Sequence, residues 1–318
     1  MNEEWPLISI CIPAFQRVGH LRRLLESIAI QSYKRYEIII SDDSPDETVK
    51  QLVDRFTSSL PIHYSKNDPA AGSPYNWNIA MKKAGGEWII LMHDDDWFAL
   101  PTSLQKFAEA ARDTTRDFIF SACNNIYASG REVPEFLDGW KKEMLEENTL
   151  NLFFLNMIGH PSTVMHRKDD NILYDSQFKW VVDIDFYIRY LQQHNGYAYI
   201  HEMLVNIGTD DTQVSNVLYK NPRVEIPEYL TMLAKFSSGL LMEHEYVFHC
   251  VWNLVKRFSI RNIKMIGEFG YTGQLPDHLQ DIIDYQKHVP RIIIKQTNWS
   301  KALMKNCYRK IKAQGLNK

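Results

Sequence analysis

A chain that alternates short, unbroken apolar runs with stretches of helical periodicity has few folds open to it. The runs here are "LISICIP" (Leu7–Pro13), "YEIIIS" (Tyr36–Ser41) and "EWIILM" (Glu87–Met92), and none alternates apolar with polar residues. Runs of this kind read as strands covered on both faces, as in a parallel sheet. Between them, Leu21, Leu24, Leu25 and Ile28 recur at helical spacing, and Asp46 to Phe56 places Val49, Leu52, Val53 and Phe56 on one helix face. A further strand is predicted at "PIHYSK". Trp77, Ala80, Met81 and Ala84 mark another helix, for which Gly85-Gly86 predicts a left-handed stop. The alternation points to an α/β fold: a doubly wound, mostly parallel central sheet with helices on both faces. With 318 residues, the chain can hold one large domain of this class plus an appendage.

Ligands of such sheets bind outside the carboxyl ends of the strands. Three polar segments fall there: "PAFQR", "DDSPDET" and "HDDDW". The last puts Asp94, Asp95 and Asp96 in a row after a strongly apolar strand, where mutual repulsion is costly unless something neutralises it. Hard divalent cations take oxygen ligands, and Mg²⁺ or Mn²⁺ bridges carboxylates to substrate phosphates. A GxxxxGK[ST] or GxGxxG loop is absent, so a nucleotide would be held through metal and carboxylates rather than a glycine-rich cradle.

Beyond residue 100 the pattern loosens. "DFIFSAC" (Asp117–Cys123) reads as a strand, and "WVVDIDFYIRYLQQ" as a helix with Ile184, Ile188 and Leu191 inward. From about Asn216 no βα alternation remains, so the expected division is a catalytic domain over 1–215 and a helical region over 216–318. The formal charge of −3 gives no support to a nucleic-acid partner. From Lys287 onward, however, there are nine Lys or Arg and no Asp or Glu, interleaved with Ile, Trp, Leu and Met. A basic amphipathic segment can rest on anionic lipid; a solvated helix covering the catalytic domain or forming a homodimer is the alternative. Four scattered cysteines, an acidic start without signal-peptide character and no long apolar window predict a cytoplasmic protein, peripheral to a membrane at most.

"ISICIPAFQR", "YEIIISDDSPDET", "NWNIAMKKAGGEWIILMHDDDWF" and "VVDIDFYIRY", in that order over residues 5–215, resemble the family 2 glycosyltransferases of GT-A fold. The resemblance implies a nucleotide-binding half over about 1–100, an acceptor half over about 101–215, and sugar transfer with inversion from a nucleoside diphosphate using Mn²⁺ or Mg²⁺. It implies that Pro13, Phe15, Arg17, Asp42, Asp43 and Asn78 line the nucleotide-sugar pocket, with Gln16 replacing the usual Asn. A carboxylate at Asp42 or Asp43 can accept the imide N–H of uracil or thymine, favouring a UDP- or TDP-sugar; alternatively one of them caps the next helix.

"HDDDW" resembles the subgroup reading "HQDD", which pairs Asp95 with Asp96, whereas a DxD register pairs Asp94 with Asp96. Asp96 belongs to both, so the resemblance makes it the metal ligand, joined by Asp95, with Asp94 and Asp95 near the nucleotide sugar. His93 ends the strand as a hydrogen-bonded His or a further ligand. "VVDIDFYIRY" places Asp183 at the catalytic-base position, with Val182 for the usual Glu; a helix N-cap is its structural alternative. Asp185 then falls on the acceptor side, as do His160, Pro161 and Ser162 of "GHPSTVMHRK". In "GTDDTQVS", Asp210 stands where the family has a metal-binding His, and Gly208 where it has Arg.

The implied function is transfer to a glycan or lipid-linked oligosaccharide in bacterial surface polysaccharide synthesis, of O-antigen or capsule type. A sugar-1-phosphate nucleotidyltransferase would need a glycine-rich loop where "PAFQRVGH" has one Gly. A non-catalytic nucleotide-sugar-binding or scaffold member is the alternative that the departures at Gln16, Val182, Gly208 and Asp210 keep open.

Overall fold

The computed structural model describes residues 5–209, 218–236 and 239–315, without the side chains of 314 and 315. Two compact units emerge. The first comprises Met1–Glu143, Met157–Ser176 and Asp185–Gln213; the second comprises Met144–Asn156, Gln177–Ile184 and Val214–Lys318. The late boundary thus lies close to residue 215, but two earlier segments, one carrying Asp183, belong with the helical unit rather than the sheet.

The first unit is built on one mixed sheet. Strands β1 (Ile8–Ala14), β2 (Tyr36–Asp42), β3 (Ile62–Lys66) and β4 (Trp88–Leu91) alternate with helices α1 (Val18–Ala29), α2 (Thr48–Val53) and α3 (Tyr75–Lys83). Next in the chain are β5 (Trp97–Phe98), α4 (Ser103–Asp113), β6 (Phe118–Tyr127), β7 (Glu132–Glu135), α5 (Gly139–Glu147), β8 (Val164–Arg167), α6 (Val182–Gln193) and β9 (Ala198–Thr209). Among the described residues the sheet order is β3-β2-β1-β4-β8-β6-β9-β5, with β7 beside β6. Pairs β1/β2, β2/β3, β1/β4 and β6/β9 are parallel; β8 runs antiparallel between β4 and β6.

The apolar runs form the central strands for the reason their composition implies: Ile8, Ile10, Ile12, Ile38, Ile40, Trp88 and Ile90 are all buried in one core. Leu21, Leu24, Leu25 and Ile28 cover it from α1. Two expectations change. The second helix spans only Thr48–Val53, and Asp46, two residues ahead of it, accepts the Thr48 N–H on Oδ1 at 3.0 Å. Gly85 and Gly86 do not form a left-handed stop, because neither has positive φ. Instead Gly86 is needed for close approach: a Cβ there would stand 2.7 Å from the Leu7 carbonyl oxygen.

The second unit is helical. Its helices include Pro222–Phe236, Glu245–Arg257, Leu279–Lys287, Arg291–Lys295 and Thr297–Gly315. Among the described residues no helix is long and apolar enough to cross a membrane. All four cysteines are buried and unbridged.

Candidate active site

Strand β4 lies between β1 and β8, so the turn at its carboxyl end, His93–Asp96, is delivered to the middle of the sheet edge. The turn is closed by the Asp96 N–H donating to the His93 carbonyl at 3.1 Å. All three aspartates are buried. Asp94 turns to Arg17, whose Nη2 lies 2.5 Å from its Oδ1, while Nη1 of the same guanidinium reaches Asp95 Oδ2 at 3.0 Å. Asp96 turns the other way. Its Oδ2 accepts the Ser162 hydroxyl at 2.5 Å, and its Oδ1 accepts the Gly208 N–H at 3.1 Å.

Ser162 Oγ also accepts the His93 N–H at 3.0 Å, so one hydroxyl fixes both ends of the turn. Arg23 donates to the Asp95 carbonyl at 2.6 Å and lies 3.6 Å above the Trp97 ring. Gly208 has no room for a side chain, since a Cβ would come within 2.3 Å of that same carbonyl.

The turn therefore carries more negative charge than its surroundings neutralise. Burial pushes the Asp94 carboxyl up to about 7, with Asp95 adding to the rise and Arg17 opposing it. Asp96 is raised well above the usual carboxylate range, first by burial and then by Asp95, against the bonds from Ser162 and Gly208. His93, packed against Trp77 at 4.7 Å between ring centroids, is lowered to about 4 by burial. Its Nε2 is buried and has no hydrogen-bond partner among the described residues. Ligand atoms of His93, Asp95 and Asp96 lie within 4.8 Å of one another. This donor set fits a hard or borderline divalent cation. Asp94 is not part of it, so the pairing the geometry supports is Asp95 with Asp96, joined by His93. Asp210 lies outside the described residues.

At the end of β1, Phe15 is 52% exposed, so it is not a core residue. Pro13 is half-buried beside it, and Gln16 adopts φ 59°, a left-handed conformation that Asn tolerates better than Gln. The carboxylates after β2 are bound internally. Asp42 accepts the Ser44 N–H and the Tyr64 hydroxyl, both at 2.8 Å. Asp43 accepts Asn67 Nδ2 at 2.8 Å and the N–H groups of Ala71 and Gly72 at 2.9 and 2.7 Å. Neither caps α2. Asn78 spends both ends of its amide on the backbone of Tyr174, at 2.8 and 3.0 Å, which leaves it a structural residue.

On the expected acceptor segment, Pro161 and Ser162 are buried, and Ser162 serves Asp96 rather than a surface. His160 opens the short 3₁₀ turn at Pro161–Thr163, its carbonyl accepting from Thr163; burial lowers its pKa. Asp185 also departs from expectation. It is fully buried against Arg189, Oδ2 to Nε 2.8 Å, and is closed to an acceptor.

Asp183, in the second unit, is the second residue of α6 and only partly buried. Its Oδ2 accepts Asn156 Nδ2 at 2.9 Å, and burial raises its carboxyl to about 6. It is not the N-cap residue, but its Oδ1 accepts the Ile184 N–H at 2.9 Å within the first turn. Glu228 gathers the segment ahead of the helix, its carboxylate accepting the N–H groups of Lys179, Trp180 and Val181 at 3.0, 2.7 and 3.1 Å. Sequence reasoning missed Ser162 as a partner of Asp96, the Gly208 amide, Arg23, Asn156 and Glu228. Only the missing side chain at Gly208 left a signal.

The sheet, with the acidic turn on its carboxyl edge, has the GT-A architecture of glycosyltransferases. The family model "Glycosyl transferase family 2" matches residues 9–173, and the chain belongs to that family. Among its relatives is the GalNAc(5)-diNAcBac-PP-undecaprenol beta-1,3-glucosyltransferase of Campylobacter jejuni, 33% identical over 47% of this chain and 50% of that protein. Among solved structures, Staphylococcus aureus TarS 1–349 in complex with UDP-GlcNAc superposes with a TM-score of 0.58 at 18% identity, covering 98% of this chain and 91% of that one. The mannosyltransferase PcManGT from Pyrobaculum calidifontis, in complex with GDP-Man and Mn²⁺, gives 0.56 at 12% identity, covering 98% and 87%. Both likenesses establish the shared fold.

Proposed function

We propose that the chain is an inverting, divalent-metal-dependent glycosyltransferase that moves a hexose from a nucleoside diphosphate, preferentially UDP or TDP, to a glycan or lipid-linked oligosaccharide hydroxyl. The setting we infer is bacterial surface polysaccharide synthesis at the cytoplasmic face of the membrane. The observation that carries this reading is the under-neutralised turn His93–Asp96 on the carboxyl edge of the sheet. The PP-undecaprenol acceptor in the name of the Campylobacter relative supports the lipid-linked class.

Asp95, Asp96 and His93 Nε2 would hold Mn²⁺ or Mg²⁺, with Asp210 as a further oxygen donor. Such an ion supplies positive charge to the departing diphosphate. Phe15, exposed at the end of β1, offers its ring face to the base, with Pro13 beside it. Asp43 retains acceptor capacity beyond its three internal bonds, enough for one imide N–H. Asp42 and Asn78 hold the pocket walls. Arg17, one third exposed, bridges Asp94 and Asp95 and presents a cation to the diphosphate.

Asp183 takes the acceptor proton as the hydroxyl oxygen attacks the anomeric carbon and the sugar–phosphate bond breaks on the opposite face. Its raised proton affinity suits a general base near neutral pH. Asn156 holds the carboxylate in one orientation.

The test pairs binding with turnover. UDP-, TDP- and GDP-sugars are screened for Mn²⁺-dependent thermal stabilisation, then for nucleotide release with and without EDTA. Stabilisation together with metal-dependent release is expected. Stabilisation without release from any donor, in the presence of lipid-linked and free glycan acceptors, would leave a binding protein instead.

A further inference from the structure

The last two helices of the second unit carry a surface the transfer chemistry does not use. Their inner side is well anchored. Ile294, Ser300, Met304, Cys307 and Ile311 are buried. Ser300 Oγ lies 3.0 Å from Trp252 Nε1 and 3.2 Å from Lys256 Nζ, and the Tyr308 hydroxyl donates to the Met242 carbonyl at 2.9 Å. Anchoring on one face fixes the helices about their axes, so the faces beside and opposite it are held outward rather than left loose. Those faces carry Ile292, 75% exposed, Trp299, 61% exposed, and Ile293, 37% exposed, all within eight residues.

The charged side chains that the two helices themselves carry are all basic. Arg291, Lys295, Lys301, Arg309, Lys310 and Lys312 are exposed, and none forms an ion pair among the described residues. Lys305 alone on this stretch meets a carboxylate, Glu245, at 3.6 Å. Lys310 and Lys312 lie 5.7 and 5.4 Å from the ring centroids of Tyr285 and Tyr308, contacts that leave their charge in place.

We propose that this face seats on an anionic phospholipid surface, with Ile292 and Trp299 entering the interfacial layer and the basic side chains meeting lipid phosphates. Tryptophan favours the depth where one edge is apolar and the other wet, and Lys and Arg reach outward from buried stems. A second copy of the chain docking through the same patch would set like charges against like, which opposes a two-fold dimer. Nucleic acid would use the cations but gains nothing from an aliphatic residue as exposed as Ile292. The proposal rests on the membrane-face setting of the proposed function, which it deepens, and stands apart from the transfer chemistry.

Co-sedimentation of the full chain with phosphatidylcholine vesicles, with and without phosphatidylglycerol, tests it. The protein should pellet with the anionic vesicles alone and be released by added salt. Lys295→Gln and Lys301→Gln should each weaken partition about fivefold. Ile292→Ser with Trp299→Ser should abolish it, while Mn²⁺-dependent stabilisation by a nucleotide sugar, which reads the nucleotide site alone, stays unchanged. Equal sedimentation with both vesicle types overturns the proposal, as does wild-type binding by the double variant. It is equally overturned if that variant loses a dimer in light scattering yet still pellets with lipid.

Discussion

At the end of β2, Asp42 and Asp43 are met by the Ser44 N–H, the Tyr64 hydroxyl, the Asn67 amide and the N–H groups of Ala71 and Gly72. At the end of β4, in the same sheet, Asp94 and Asp95 meet the Arg17 guanidinium, the Phe15 backbone bonds Asp94, and Asp96 accepts the Ser162 hydroxyl and the Gly208 amide, yet two of the three are pushed up in pKa by burial. Equal acidity in sequence thus hides opposite states. Donors already meet the charge of the first pair and organise the 67–72 loop, leaving Asp43 room for one further N–H. The second group keeps unspent charge, the condition under which a cation and a diphosphate become part of the structure. Asp183 falls with the second kind, since burial outweighs its hydrogen bonds.

The comparison breaks most visibly at Asp183. Asp183→Asn should lower kcat by about a hundred- to ten-thousandfold with donor stabilisation intact, measured as nucleotide release in the presence of acceptor. A protonated carboxyl cannot accept the hydroxyl proton. Wild-type activity should therefore fall about tenfold per pH unit below about 6, a limb missing from the residual rate of the variant. Next comes Asp96→Asn, which should reduce metal-dependent transfer roughly a hundredfold. Its melting temperature without metal should hold or rise, because a buried, poorly compensated charge is removed.

Asp43→Ala should do the reverse. Stranding three donors costs about 1–3 kcal/mol, roughly 2–4 °C in melting temperature for each kcal/mol, while stabilisation by Mn²⁺ alone, without nucleotide, is retained. Equal thermal losses for Asp43→Ala and Asp96→Asn would erase the distinction between the two strand ends. The smallest change is one methyl group: Gly208→Ala should cost about 1–3 kcal/mol by calorimetry and blunt the Mn²⁺ response, because the Cβ meets the Asp95 carbonyl.

The first half of the fold was legible because β1, β2 and β4 are buried on both faces and so read as unbroken apolar runs. The later strands were not. β9 is half-exposed along its first half and shifts register against β6 between Ser121 and Cys123, so no alternation survives in its sequence. β5 has two residues, and β8 enters antiparallel between strands parallel to each other, an order that only long-range pairing decides. In the candidate site, the acidic motif announced itself through charge. Its supports, Ser162 and the Gly208 amide, did not, since a hydroxyl and a backbone N–H have no pattern until the chain folds. Asp185 and Asn78 misled for the converse reason: polar residues in a motif look available until a buried Arg189 or the Tyr174 backbone is seen to occupy them.

The place of Asp183 on its helix has a consequence for proton transfer. The amino-terminal end of a helix is electropositive and draws down the pKa of an acid placed in its first turn. Asp183 stands in that turn, and its Oδ1 accepts the Ile184 N–H at 2.9 Å. Burial nevertheless outweighs these backbone donors and holds the carboxyl at about 6. The strength of the base is thus a contest between a helix end and a dry wall, and the dry wall prevails.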